Sequence, residues 1–102
     1  MYIEVSETQI SVREAEALTA FSVRTQLDAD QLAMQFRTID QGAWGYVDDT
    51  GYAWVNRAAI ERSVESTKTG PQWTADFGAM VAYAQSRGWV SPDGDAIRAH
   101  VE

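Results

Sequence analysis

Two aspartates and one histidine are the side chains of this chain that suggest chemistry. Asp40 precedes a run of tryptophans and tyrosines and Asp48 interrupts it. A carboxylate that leans on aromatic rings has its pKa raised by desolvation, as in general acids and bases. His100 is the only histidine, and no nucleophile motif of the G-x-S-x-G type accompanies it. We therefore predict no catalytic residue, and a protein that is not an enzyme is favoured.

The acidic turns and the glycines do not form a cofactor site. Segments 48–51 and 93–95 are rich in Asp, yet a calcium loop needs oxygen ligands spread over a longer segment that ends in Glu. Zinc sites are built from His and Cys, and the chain has one His and no Cys. Its glycines form neither a phosphate-binding loop nor a dinucleotide fingerprint. The sequence predicts no metal and no cofactor.

The predicted binding residues are four aromatic side chains placed around one turn, namely Trp44, Tyr46, Tyr52 and Trp54. Two runs rich in aromatic residues and Val flank segment 48–51, which is a strong signal for a β-hairpin. A type I turn with Gly51 in the left-handed region closes it most simply. This closure sets Tyr46 opposite Trp54.

The two faces of this hairpin differ in size but are both apolar. Side chains alternate between the faces of a strand, so one face carries the four aromatic rings and the other carries small residues and Val. Burial of the rings in the core is the ordinary interpretation. Display of the rings is the other, because exposed aromatic residues anchor interfaces. We predict protein interaction or homodimer formation through this surface. The alternative is a small-molecule-binding protein, or an acid/base enzyme with an aromatic pocket.

The periodicity of apolar residues predicts helices in five segments, at 12–25, 28–39, 56–66, 74–87 and 96–101. Ser11 and Glu14 have capping-box spacing, and so have Asp28 and Gln31. Segment 20–25 alternates and also suits a strand. Gly88 suits the left-handed residue that ends a helix. His100 falls at the end of the last helix, where the helix dipole favours a cation.

The fold class that follows is α+β. The hairpin forms a small antiparallel sheet at the centre, which an N-terminal strand at 2–5 can join, and four to five helices pack with it. The 102 residues match one domain over 1–102, since single domains run to about 100–150 residues. The turn-rich connection at 66–71 is expected to be a loop within it. Trp73 and Trp89 flank the fourth helix and can extend the aromatic surface or seal the core.

The order of helix 12–25, helix 28–39 and hairpin 43–55 resembles the core of a winged-helix domain. The resemblance implies that the second helix would enter the major groove of DNA. That segment and the residue after it carry three aspartates, Asp28, Asp30 and Asp40, against Arg37 alone. Because phosphate contacts dominate nucleic-acid affinity, we predict no nucleic-acid partner. The resemblance is then compatible with a winged-helix scaffold that makes protein contacts.

The charge balance and the absence of cysteine set the expected environment. The chain has 8 Lys and Arg against 15 Asp and Glu, a net charge of −7, which disfavours nucleic acids and anionic membranes. No apolar run approaches the roughly 20 residues of a membrane helix, and the first residues lack the pattern of a signal peptide. We predict a cytoplasmic protein with no membrane partner.

Overall fold

The computed structural model describes residues 1–65 and 70–102. The order of elements in these residues is β1 (Tyr2–Val5), β2 (Ile10–Arg13), β3 (Ser22–Thr25), α1 (Ala29–Thr38), a 3-10 turn (Ile39–Gly42), β4 (Gly45–Val47), β5 (Ala53–Asn56), α2 (Arg57–Glu65), α3 (Pro71–Ser86) and β6 (Ala96–Val101). Within the same residues, no helix combines the length and the apolar character needed to cross a membrane.

The strands form one mixed sheet in the order β2-β1-β3-β6-β5-β4. Strands β1, β3 and β6 run parallel in its middle, and β2, β5 and β4 pair antiparallel at the two sides. In the middle of the sheet, Tyr2 of β1 lies opposite Ser22 of β3, and Ser22 lies opposite His100 of β6. The sheet therefore joins segments that are far apart in the chain.

Helix α2 shows that the sheet curls around its helices. It contacts both β2 and β5, although β1, β3 and β6 lie between those strands. The core fills the space on this inner side, and its largest fully buried side chains are Phe36, Phe77, Ile3, Ile60, Ile97, Val23, Val55 and Val64. None of the helices in residues 1–65 and 70–102 covers the opposite side of the sheet, which we call the outer face.

The predicted small antiparallel sheet with four to five helices is wrong, although the α+β class is right. Segment 12–25 contains the end of β2 and all of β3 in place of a helix. Its predicted capping box does not form, because Ser11 lies within β2 and Glu14 has a φ of +50°. Segment 96–101 is β6. The hairpin is one side of a six-stranded sheet, not its centre. Without a helix before α1, the winged-helix order is also lost.

Helix α1 begins as its local sequence predicts. The Asp28 side chain accepts a hydrogen bond of 2.8 Å from the amide of Gln31, and the Gln31 side chain accepts one of 3.2 Å from the amide of Asp28. Together they form a capping box. Helix α2 follows β5 directly, at Arg57.

Helix α3 begins earlier than predicted and ends as predicted. Gly70 precedes it and Pro71 occupies its first turn, where a missing N–H costs nothing, so Thr74 lies inside the helix. At its end, Gly88 has a φ of +78° and the amide of Trp89 donates to the carbonyl of Ala84 over 2.9 Å. This is the Schellman geometry. Of the predicted connection at 66–71, residues 66–69 lie outside the described residues.

Candidate functional site

The hairpin that carries the predicted binding residues closes with the predicted register. Tyr46 pairs with Trp54 and Gly45 with Val55. The amide of Gly51 donates to the carbonyl of Asp48 over 3.1 Å, and Gly51 has a φ of +89°. A side chain at this φ would be strained, which explains glycine at the turn.

The structure places Trp44 apart from the other three predicted residues. Its side chain is 5% exposed and belongs to the core cluster, and its indole Nε1 donates to Oδ2 of Asp40 over 2.7 Å. Gly45 follows it with a φ of +125°, which breaks the alternation of faces between Trp44 and β4. One of the four predicted rings is therefore a core residue.

Tyr46 and Trp54 lie together on the outer face. Their rings are nearly parallel, with an interplanar angle of 13° and centroids 6.3 Å apart. Tyr46 is 50% exposed, whereas Trp54 is half-buried. The Trp54 indole donates to Oδ2 of Asp48 over 2.8 Å. This bond fixes the orientation of the ring beneath Tyr46.

Tyr52 lies beside this pair, next to Arg98 and His100. The guanidinium of Arg98 is 4.5 Å from the centre of its ring, and the ring of His100 is 6.4 Å away at a tilt of 60°. The contact with Arg98 is a cation–π interaction. His100 was expected at a helix end, but it lies exposed on β6. Its position next to Tyr52 follows from the pairing of β5 with β6.

The other half of the outer face repeats the combination of arginine and tyrosine. The guanidinium of Arg24 is 4.1 Å from the centre of the Tyr2 ring, and its Nε bonds Oε2 of Glu102 over 3.1 Å. Arg13 and Glu4 form an exposed ion pair at 3.2 Å. The outer face thus consists of tyrosines and one tryptophan, with arginine side chains packed against two of the tyrosines.

The electrostatics of Asp48 do not fit a general acid. Hydrogen bonds from the side chains of Thr50 and Trp54, then from the amides of Thr50 and Tyr52, lower the pKa of Asp48 to about 2. Each of these donors stabilises the charged form. The raised pKa that the alternative of an acid/base enzyme would need at Asp48 is therefore contradicted, and this carboxylate serves as a fixed acceptor within the turn.

Comparisons with protein-family models, with curated proteins and with solved structures find no match. The function is therefore argued from the geometry and charge of the outer face. Its charged side chains are balanced among the described residues, with three acidic and three basic, Glu4, Asp48, Glu102, Arg13, Arg24 and Arg98. The rest of the chain then holds 12 of the 15 acidic and 5 of the 8 basic residues. The outer face is a neutral surface on an acidic protein.

Sequence reasoning missed half of this face. Tyr2, Arg24 and Arg98 come from three parallel strands whose pairing joins the two ends of the chain, and no local pattern signals that pairing. The other two tryptophans lie away from the face. Trp73 is buried and stacks on Phe77 with centroids 4.9 Å apart. Trp89 packs against the inner-side helix α3, as described below.

Proposed function

We propose that this chain is a protein-interaction module that forms a homodimer through its outer face. One observation supports this most directly. Tyr46 is 50% exposed and stacks on Trp54, on the side of the sheet that no described helix covers. Large exposed aromatic residues are unusual on monomers when they cluster, and Tyr, Trp and Arg are the residues that dominate interface energies.

The rings on this face are already held in place before a partner arrives. Asp48 fixes Trp54, and Arg98 packs on Tyr52. Freezing a free side chain on binding costs about 0.5–1.5 kcal/mol, and this cost is reduced for a ring that neighbours already orient. A preorganised aromatic surface therefore supports binding better than the same rings on a loop.

The charge distribution supports a second copy of the chain as the partner. Two copies each carry a net charge of −7, so they repel wherever their acidic surfaces approach. The outer face is the exception, because its acidic and basic side chains are equal in number. Like charges juxtaposed at an interface cost free energy, and contact through the outer face avoids that cost.

The curl of the sheet sets the expected affinity. The outer face lies on the convex side, so two copies meet over part of it and bury less area than a large flat interface. Small interfaces of this kind are weak or transient, and we expect a dissociation constant in the micromolar range, about 10–100 µM. We further propose a cytoplasmic location, which the cysteine-free, acidic composition supports.

Sedimentation equilibrium from about 5 µM to about 1 mM tests the homodimer. We expect the wild type to pass from monomer to dimer in this range, and Tyr46→Ser to remain monomeric. Met34→Ser is the matched control, because Met34 is also strongly exposed, at 55%, but lies on α1. This variant should dimerise like the wild type. A wild type that stays monomeric at 1 mM, or equal losses in both variants, would contradict the proposal.

A further inference from the structure

An apolar cleft opens beside α3, and none of the four rings Tyr2, Tyr46, Tyr52 and Trp54 of the outer face lines it. It lies between the segment that leads into β3, the second half of α3 and the start of β6, and its volume is about 510 Å³. Drug-sized ligands occupy pockets of roughly 300–1,000 Å³. The cleft therefore has room for a small molecule.

The cleft exists because β6 changes neighbours along one edge. Its first half pairs with the segment after α3, where Val90 lies opposite Ile97 and the amide of Arg98 donates to the carbonyl of Trp89 over 2.7 Å. Its second half pairs with β3, beginning with His100 opposite Ser22. The cleft lies between these two neighbouring segments, and side chains from both of them line it.

The walls of the cleft are apolar and aromatic. Its principal side chains are Leu18, Phe21, Met80, Tyr83 and Trp89. Tyr83 is 55% exposed although its ring meets Trp89 edge-on, with centroids 6.0 Å apart. No Asp, Glu or Lys lines the cleft among the described residues, and the one lining arginine, Arg98, has its guanidinium over Tyr52 on the outer face. The guanidinium of Arg87 lies 5.5 Å from the centre of the Trp89 ring and disfavours a cationic ligand, and the lack of other charges on the walls favours an uncharged one.

One polar group at the cleft distinguishes Trp89 from the other tryptophans. The indole N–H groups of Trp44, Trp54 and Trp73 each donate to an oxygen of the protein, at 2.7–2.8 Å. In the described part of the chain, the Trp89 indole has no such acceptor, although the ring is half-buried. Ser11 Oγ is the one buried side-chain polar atom without a partner among the described residues, so the Trp89 indole nitrogen is open to solvent and free to donate to a bound molecule that carries an oxygen atom.

We infer that this cleft is a binding site for an uncharged, planar, largely apolar small molecule that carries an acceptor oxygen. The ligand lies against Phe21, Met80 and Tyr83 and accepts a hydrogen bond from the Trp89 indole. The inference does not depend on the homodimer, because Tyr46 and Trp54, which support the homodimer, do not line the cleft.

Titration with Nile red tests the cleft, because this dye is uncharged, planar and apolar and carries a carbonyl group. We expect saturable binding to the wild type, with a blue shift of the dye emission. Trp89→Phe keeps an aromatic ring and loses the donor, so it should weaken binding about fivefold, the value of one hydrogen bond. Tyr83→Ser removes a whole ring from the wall and should weaken binding about tenfold or more.

Two controls separate the cleft from the outer face. Met34→Ser and Tyr46→Ser should bind the dye as the wild type does, and thermal unfolding followed by circular dichroism checks that all four variants are folded. The inference is overturned if the dye does not saturate, if Tyr46→Ser weakens binding as much as Tyr83→Ser, or if Trp89→Phe and Tyr83→Ser both bind like the wild type. It is also overturned if Tyr83→Ser converts a dimer into a monomer in sedimentation, because the cleft would then hold a protein segment.

Discussion

The indole Nε1 of Trp54 donates a hydrogen bond of 2.8 Å to Oδ2 of Asp48, across the turn that joins β4 to β5. The other carboxylate oxygen, Oδ1, accepts from the amide of Thr50 at 2.8 Å, from its hydroxyl at 2.6 Å and from the amide of Tyr52 at 3.1 Å. One carboxylate thus organises both the turn and the ring on the outer face. The stability of the hairpin therefore depends on the ionisation of Asp48 and, through it, on pH.

Asp48→Asn should destabilise the protein at neutral pH and not in strong acid. Because the pKa of Asp48 falls from 3.8 to about 2 in the folded state, its contribution to stability is present above about pH 4. That contribution is lost as the pH falls through 2. Urea unfolding at pH 7, 4 and 2 should show a gap between wild type and variant that closes at the lowest pH.

Asp49→Asn is the matched control for this pH dependence. Asp49 is the exposed neighbour in the same turn, and no hydrogen bond to its carboxylate is found within residues 1–65 and 70–102. Its replacement removes the same formal charge without removing an acceptor. If the gap for Asp48→Asn stayed constant from pH 7 to pH 2, or if Asp49→Asn behaved identically, the role assigned to Asp48 would be wrong.

The features that the sequence predicts well are local ones. The capping box of Asp28 and Gln31, the left-handed Gly88 and the register about Gly51 each depend on residues within a few positions of one another. Their geometry is decided by backbone sterics and by hydrogen bonds that any such segment can make. Distant parts of the chain do not alter them.

The features that the sequence does not reveal depend on pairing between distant segments. Val12, Ala15, Leu18 and Phe21 recur every third residue, which imitates a helix. All four instead pack against the core from a strand and from irregular chain. The alternation in β6 is too short to distinguish a strand from a helix. The parallel pairing of β1, β3 and β6 makes strands of both segments, and it also brings together the residues of the outer face and of the cleft.

Gly45→Ala should be severely destabilising. A Cβ atom at this position would lie 1.8 Å from the carbonyl oxygen of Trp54, and the residue has a φ of +125°. The overlap involves backbone, so β4 and β5 must separate to relieve it. We expect a loss of about 3 kcal/mol or more in the free energy of unfolding, or no folded protein.

Gly51→Ala is the comparison that isolates this overlap. Gly51 also has a positive φ, +89°, but nothing lies within 4 Å of its added Cβ. Only the backbone strain remains, at about 1–2 kcal/mol. Urea unfolding of both variants measures the difference, and equal losses would show that the Gly45 contact with Trp54 is not what requires glycine.

Asp28→Ala should cost about 1 kcal/mol, because it removes the acceptor for the first-turn amide of α1. Asp30→Ala is the control, since Asp30 lies in the same first turn. Its loss removes a favourable charge near the positive end of the helix dipole, worth about 0.3–1 kcal/mol. Thermal unfolding in about 1 M NaCl separates the two effects, because salt screens the dipole term and leaves the hydrogen bond. Equal losses at high salt would contradict the cap.

Trp73→Phe should loosen the irregular segment before β3. The Trp73 indole donates to the carbonyl of Ala15 over 2.7 Å, and this bond fastens the segment to α3. Phenylalanine keeps the stacking on Phe77 but leaves the carbonyl without its donor, so we expect a loss of about 1–3 kcal/mol. Cleavage by a Glu-specific protease reports the local effect, because Glu14 and Glu16 flank Ala15.

The same substitution at Trp89 distinguishes loosening of this one segment from a general effect of replacing an indole. Trp89→Phe removes an indole that has no acceptor among the described residues, so cleavage at Glu14 and Glu16 should remain at the wild-type rate. Faster cleavage in Trp73→Phe alone, under conditions where both variants are more than 95% folded, would show that the Ala15 bond restrains the segment. Because that segment also forms one wall of the cleft, Trp73→Phe should in addition weaken Nile red binding. Equal cleavage of both variants would mean that packing on Phe77, rather than the hydrogen bond, holds the segment.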